Sequence, residues 1–279
     1  MIEIRSCVGF EELDACVQVQ IDTWGYGKSE SIPRKTFLLA QKIGGQVIGA
    51  FDTEYARDTS GRSPATQAEN LVGFAMSLPG IKQTGDGAVP YLHSHMLAVR
   101  EPYRNRGIGA QLKREQRLEA LSRGIRHMEW TFDPLEIKNA FLNIHRLGAI
   151  SRAYRVDFYG VSSSRLQGGL PTDRLLAEWE LNSARVQAIL DGHPASYEIE
   201  ERILVPALID LWKASQASRN RAVALQVENR EKFQLAFSRG LAVIGFSRDA
   251  DGNGVFELGP LAQMGSVSDS GVSKENRII

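Results

Sequence analysis

The chain has 279 residues, 43% of them hydrophobic and 24% charged, with 33 Lys plus Arg set against 33 Asp plus Glu. That length suits one large globular domain, or a domain of about 150 residues with a smaller companion, and the charge balance leaves no electrostatic footprint for nucleic acid or an anionic membrane. Two cysteines, Cys7 and Cys16, cannot build a disulfide framework and match no metal-ligand spacing, so buried free thiols and no metal are expected. The opening MIEIRSCVGFEELDAC puts acidic residues where a secretory signal needs a basic region and an apolar run. No stretch approaches about 18 apolar residues, so no membrane span is expected and the location reads as cytoplasmic.

Taken in chain order, Ile2–Cys7 alternates as a short strand, and Leu13, Cys16, Val17 and Val19 space a helix over Glu11–Ile21. Thr23–Pro33 reads as a loop. Gln46–Phe51 and Leu71–Leu78 read as two strands joined by the long polar loop DTEYARDTSGRSPATQAEN, and Tyr91–Val99 as a third. After a glycine-rich turn, Leu112, Leu118 and Leu121 mark a helix over Ala110–Ser122 that stops at Gly124. Met128–Phe132 is a short strand, Asp133-Pro134 interrupts it, and Glu136–Leu147 is a helix ended by Gly148. Ser151–Tyr159 and Arg174–Leu181 are strands on either side of Gly160–Pro171.

Beyond them, Asn182 or Ser183 caps a short helix, and Tyr197–Val205 is a strand. Leu208–Arg239 holds one or two helices, whose many charges need only a solvated face, and LAVIGFSRD-ADGN-GVFEL is a hairpin. Helices and strands alternate without a repeat, which gives an α/β class with a mixed sheet. The expected organisation is a domain at 1–181, a C-terminal αβ extension at 182–264 and a mobile tail at 265–279.

The most informative stretch is Arg104-Asn105-Arg106-Gly107-Ile108-Gly109, set between a strand and a helix that opens near Ala110. N–H groups at a helix start lack intrahelical partners and lie at the positive end of the macrodipole, so they attract an anion. Glycines at 107 and 109 let backbone approach a phosphate closely, and Arg104 and Arg106 add charge. A third glycine for the dinucleotide fingerprint is missing, as is the Gly-Lys-Ser/Thr of a nucleotide-triphosphate loop.

The stretch MLAVREPYRNRGIGAQL resembles the acyl-CoA signature of the GNAT superfamily: a strand, then R/Q-x-x-G-x-G/A, then a helix. The resemblance covers residues 1 to about 181 and implies a GNAT-like acyl-CoA-binding fold. It also implies acetyl-CoA or another acyl-CoA as co-substrate and a small-molecule or peptide amine as acceptor. In the family the signature strand and the next one splay apart. Backbone at Leu97, Ala98 and Val99 would then bond pantetheine, the turn Arg104, Asn105, Arg106, Gly107, Ile108, Gly109 with Ala110 would hold pyrophosphate, and Phe132 would open the partner strand. Asn139 and Asn143, four apart on one helix face, would touch the cofactor arm or simply be solvated amides. WTFDPLEIKNAFLNIHRLGA and GLPTDRLLAEWEL resemble a branch with a long C-terminal extension. A homo-oligomer is compatible with this resemblance.

The resemblance implies a base on the signature strand, and counting back from Val99 gives His93. Simple alternation puts His93, His95, Leu97 and Val99 on one face. An imidazole near pKa 6.5 suits proton removal at neutral pH, with His95 the competing base and a structural role the alternative. The family's acid, a tyrosine before Leu147-Gly148, is missing: Leu142-Asn143-Ile144-His145 stands there. Tyr154, Tyr159 or water would replace it. Trp24 and Tyr26 would line the acceptor pocket or pack elsewhere, and Asp173, Arg174 and Trp179 would form a polar site or a structural pair. Two functions stay open: an N-acyltransferase, or a non-catalytic acyl-CoA-binding or sensor module.

Overall fold

A computed structural model describes residues 1–25, 30–54, 67–85, 87–162, 164, 167–193 and 196–261. Tyr26, the middle of the polar loop after Asp52 and the tail at 265–279 lie outside the described residues. Chain order begins with β1 (Ile2–Ser6), α1 (Gly9–Trp24), α2 (Arg34–Lys42) and β2 (Gln46–Asp52). The hairpin β3 (Leu71–Thr84) and β4 (Gly87–Val99) follows, then α3 (Ile108–Ser122) and β5 (His127–Phe132). One α-helical turn, Ile137–Ala140, runs into a π-helical segment, Phe141–Arg146; together they are α4. β6 (Ile150–Arg155), β7 (Arg174–Glu180), α5 (Ala184–Leu190), β8 (Glu201–Val205), α6 (Ile209–Ala214), α7 (Arg219–Ser238), β9 (Leu241–Arg248) and β10 (Gly254–Pro260) complete the chain.

Among the described residues, ten strands join one sheet in the order β1-β2-β3-β4-β5-β7-β6-β9-β10-β8. The pair β4–β5 is parallel and the other pairs are antiparallel, which makes the sheet mixed. On one face α1 and α2 bury Leu13, Cys16, Val19 and Phe37 against Phe74, Met76, Met96 and Ala98. On the other, Ile108 and Leu112 of α3 cover Ile48, Ala50, Val72 and Ala75. Each fully buried Leu, Ile or Phe contributes roughly 1.5–3 kcal/mol, so both layers are needed to hold the sheet.

Residues 182–261 continue the sheet rather than hang from it. Ser151 of β6 pairs with Val243 of β9, and one core cluster joins Leu92, Trp130, Leu175 and Trp179 to Phe233, Val243, Phe246 and Phe256. The Phe233 ring stacks on Tyr154 at 5.8 Å and meets Phe256 edge-on at 5.2 Å.

The structure departs from the sequence reading at four elements. Helix α2 falls where no element is expected; Phe37 and Ala40 alone are buried along it, too few to mark a period. The helix expected over Glu136–Leu147 widens to π geometry, with the Leu147 N–H reaching five residues back to the Leu142 carbonyl at 3.0 Å. The strand expected to Tyr159 stops at Arg155, because Asp157 adopts φ 44° and its carboxylate accepts the Thr172 N–H at 3.0 Å. The strand expected over Tyr197–Val205 begins only at Glu201.

Candidate active site

β4 and β5 pair at Leu92–Met128 and His93–Glu129 and then part. A cavity of about 440 Å³ fills the opening, with His93, Ser94, His95, Met96 and Leu97 on one side and Trp130, Thr131 and Phe132 on the other. A second cavity, about 490 Å³, runs from Leu97 and Val99 to the Arg104–Gly109 turn. Leu97, Glu136, Asn139 and Leu142 border both cavities.

The alternation expected for β4 fails at its centre. Met96 pairs with Met76, yet Ser94 pairs with Ser77, so His95 is an extra residue in a β-bulge. Parity therefore slips by one. Leu97 and Val99 pack towards α3. So does Ser94, whose hydroxyl donates to Gln116 Oε1 at 2.9 Å and accepts from Lys113 Nζ at 2.6 Å. His93 consequently points to the opposite face, and the shared face of His93, Leu97 and Val99 is corrected. Burial and the nearby His95 lower the His93 pKa below its usual 6.5, which keeps the imidazole neutral at pH 7.

Lys113 went unread in the sequence. Its side chain is 2% exposed, and its Nζ lies 3.6 Å from the Trp130 ring centroid. No carboxylate among the described residues pairs with it, and burial pushes its pKa well below the usual 10.5. A signal existed: Ile108, Leu112, Lys113, Gln116 and Ala120 form the buried stripe of α3. Read from sequence, a lysine within QLKREQ is more simply solvated.

The turn has the backbone that an anion site needs. Gly107 is the N-cap of α3 at φ 78°, where an L-residue is strained, and it contributes no side-chain cap. Asn105 also has positive φ, 62°. Gly109 is different: an added Cβ would meet Leu142 and Leu97 at 3.7 Å, an ordinary contact. The structure brings Leu97, Val99, Arg104, Asn105, Gly107, Ile108, Gly109 and Asn139 around the second cavity. The Ala98 side chain sits in the α1–α2 core, and the residue borders neither cavity. Arg106 and Ala110 do not border it; the Arg106 guanidinium lies 5.2 Å from the Tyr103 ring centroid. Asn143 lines the first cavity instead.

Tyr154 is not placed to act as the acid. Its hydroxyl donates to Asp173 Oδ2 at 2.7 Å, its pKa is raised by burial and that bond, and it lies outside both cavities. Tyr159 does line the first cavity and shares a 2.8 Å hydrogen bond with Thr131. Of Asp173, Arg174 and Trp179, only Arg174 reaches the cavity. Asp173 is fully buried and paired with Arg230 at 2.9 Å, and the Trp179 indole donates to the Leu147 carbonyl at 2.7 Å. Trp24 borders both cavities.

The residues after 181 also reach the site. Asp210, Lys213 and Ala214 of α6 wall the second cavity. Lys213 Nζ donates to Asp133 Oδ2 at 3.0 Å and to Glu136 Oε1 at 2.7 Å, which ties α6 to the loop that follows β5. Burial raises the Glu136 pKa although Lys213 opposes the shift. These partners are 77 and 80 residues apart in sequence, so no local pattern announces them. Among the described residues no cluster suited to a metal ion occurs, and no helix is long and apolar enough to cross a membrane.

A search of curated proteins finds no match to the chain. Among solved structures, Arabidopsis thaliana NAA60 with acetyl-CoA is similar at 17% identity and TM-score 0.48, over 64% of this chain and 99% of that one. The ribosomal-protein-S18-alanine N-acetyltransferase of Escherichia coli is 15% identical at TM-score 0.46, over 66% and 96%. A GNAT family acetyltransferase from Elizabethkingia anophelis with acetyl-CoA bound is 15% identical at TM-score 0.42, over 64% and 97%. Residues 33–142 match the family model described as the acetyltransferase (GNAT) family. That span holds both splayed strands, the glycine turn and the helix after it, and over it the chain is similar to a GNAT-family acetyltransferase domain.

Proposed function

We propose that the protein is an acyl-CoA-dependent N-acyltransferase, with acetyl-CoA as donor and a small-molecule or peptide amine as acceptor. One observation carries this reading: the sheet opens between β4 and β5, and the opening leads directly to an uncapped helix start built on Gly107. Backbone groups at Leu97, Ala98 and Val99 would bond the pantetheine arm as a missing strand would. The Arg104–Gly109 turn would hold the pyrophosphate, with Asn139 beside the arm. Acetyl-CoA supplies an activated acyl group as a thioester.

His93 faces the side of the sheet opposite α3, together with Thr131 and Tyr159, and this is the side from which the amine enters. A lysine-like amine of pKa about 10.4 is neutral only about once in 2,500 molecules at pH 7, so a base beside it matters. His93, kept neutral by burial, takes that proton.

Acetyl-CoA at about a hundredfold excess over Kd should raise stability by about 2.7 kcal/mol, seen as a higher Tm. In Gly107→Glu that ligand-induced increment should vanish, because the new carboxylate stands where pyrophosphate belongs. Strain at φ 78° lowers the variant's own Tm, so the increment is the quantity to compare. Equal increments in the two proteins would refute the reading.

A further inference from the structure

Resting on the acyltransferase reading above, we infer that Lys113 is the acid that protonates the departing CoA sulfur. The residue comes from α3, beneath the opening, and borders the same cavity as His93. Ser94 faces α3 and His93 does not, so Lys113 and His93 reach the opening from opposite faces of the sheet. A proton acceptor on the amine's side and a donor on the other are what an acyl transfer needs.

Donor arithmetic points the same way. A lysine ammonium has three N–H groups. One is given to Ser94 Oγ at 2.6 Å, and the Trp130 ring, 3.6 Å away, accepts a second. The third has no partner among the described residues, although the side chain is 2% exposed. A buried ammonium normally sits against a carboxylate; this one sits against a ring, a hydroxyl and a cavity. A thiolate formed in that cavity supplies the missing anion. The titratable groups on the same cavity are His93 and His95 on β4, Glu30, and Asp133 and Glu136 after β5; the last two are held by Lys213 Nζ at 3.0 and 2.7 Å. Glu129 on β5 belongs to the opposite face and is held by Lys82 at 2.7 Å. Burial lowers the proton affinity of Lys113, which suits it to give that proton away.

The step balances. Once the ammonium's surplus proton has left through His93 to solvent, the amine nitrogen bonds to the thioester carbonyl carbon and passes its second proton to His93. The C–S bond breaks with its electron pair going to sulfur, and Lys113 Nζ supplies the sulfur's proton. Lys113 is left a neutral amine and His93 an imidazolium; transfer between them through solvent in the shared cavity restores both.

The test needs no acceptor. Free CoA is titrated in complex with the full-length protein, following thiolate absorbance in the ultraviolet against desulfo-CoA as blank. Of the protein's own thiols, Cys7 and Cys16 are both buried, and burial pushes the Cys16 thiol well above its usual value. A thiol ionises near 8.5 in water; bound beside the Lys113 ammonium it should ionise at least about tenfold more readily, and Lys113→Met should erase the difference. Acetyl-CoA turnover on a mixed panel of amino acids, polyamines and dipeptides should fall about 100-fold in Lys113→Met with KM for acetyl-CoA little changed. Wild-type protein that binds CoA without any change in thiol ionisation overturns the assignment, whether or not the variant folds. Failure to bind CoA at all would instead overturn the acyltransferase reading.

Discussion

Replacing Lys213 with methionine removes one ammonium from between two carboxylates. The Lys213, Asp133 and Glu136 side chains are 4%, 9% and 17% exposed, so the anions left behind are poorly hydrated. Breaking a buried pair by deleting one partner costs about 3–5 kcal/mol. For a chain of this size that corresponds to a fall of about 10 °C in Tm. Asp133 has a second duty, accepting the Leu135 N–H at 2.8 Å through Oδ1, which an asparagine oxygen can also perform. The triple variant Lys213→Met, Asp133→Asn, Glu136→Gln should therefore recover most of the loss. The deficit should also depend on pH in a fixed direction. Burial already raises the Glu136 pKa and Lys213 opposes that shift, so without Lys213 the Glu136 share of the penalty is full at neutral pH and fades as falling pH protonates it. Calorimetric melting of the single and triple variants between about pH 4 and pH 8 reads all of this. A single variant within about 1 kcal/mol of wild type, or a triple variant no better than the single, would refute the idea that charge pairing holds α6 on the loop after β5.

Three further outcomes are expected. If His93 is the base, kcat/KM should rise with pH only below about 6.5 and be flat at neutrality, and His93→Ala should lose about 10²–10⁴-fold; an unchanged profile would return His93 to a structural role. Burial opposes charge on His127, but hydrogen bonds to Glu129 and Glu180 outweigh it and raise its pKa to about 9, while bonds from His127 and Lys82 hold Glu129 at about 2. The stabilisation from His127 is whole below about pH 6.5 and lost as pH rises through 9, and that from Glu129 is whole above about 4.5 and lost towards 2. His127→Asn should thus lower Tm most between those limits and little at about pH 10; a pH-independent loss would argue against it. A chain cut after Leu181 should expose Tyr154 and Leu175 and associate on sedimentation, whereas a stable monomer would make residues 182–264 an independent module.

What the sequence revealed follows the range of the interactions involved. The strand–turn–helix around Gly107 is legible because its chemistry is local: a left-handed glycine and free N–H groups need only a few consecutive residues. The bulge at His95 is not, because it is defined by the partner strand, where Met76 and Ser77 meet Met96 and Ser94. That single residue reversed the facing of His93 while leaving the strand itself correctly read. Tyr154 looked available because its neighbours in sequence are ordinary. The carboxylate that occupies it, Asp173, is buried by α7, and Arg230 reaches it from 57 residues away. Lys113 was passed over because a lysine in a charged helical run reads as solvated, and only the packing of α3 under the opening shows otherwise.

The junction between β6 and β9 also has a consequence for how the chain is made. Val243 reaches the ribosome exit some ninety residues after Ser151, with which it pairs. At synthesis rates of about 5–20 residues per second, β6 waits roughly five to twenty seconds as a bare sheet edge. During that interval Tyr154, Leu175 and Trp179 lack the cover that Phe233, Phe246 and Phe256 later provide. Exposed edges and uncovered aromatic residues recruit other chains, so the nascent protein is most vulnerable to misassembly while the residues between Ser151 and Val243 are being made. Conditions that slow elongation over this region should lower the yield of native protein more than the same delay near the N-terminus, and holdase chaperones should engage the chain chiefly in that window.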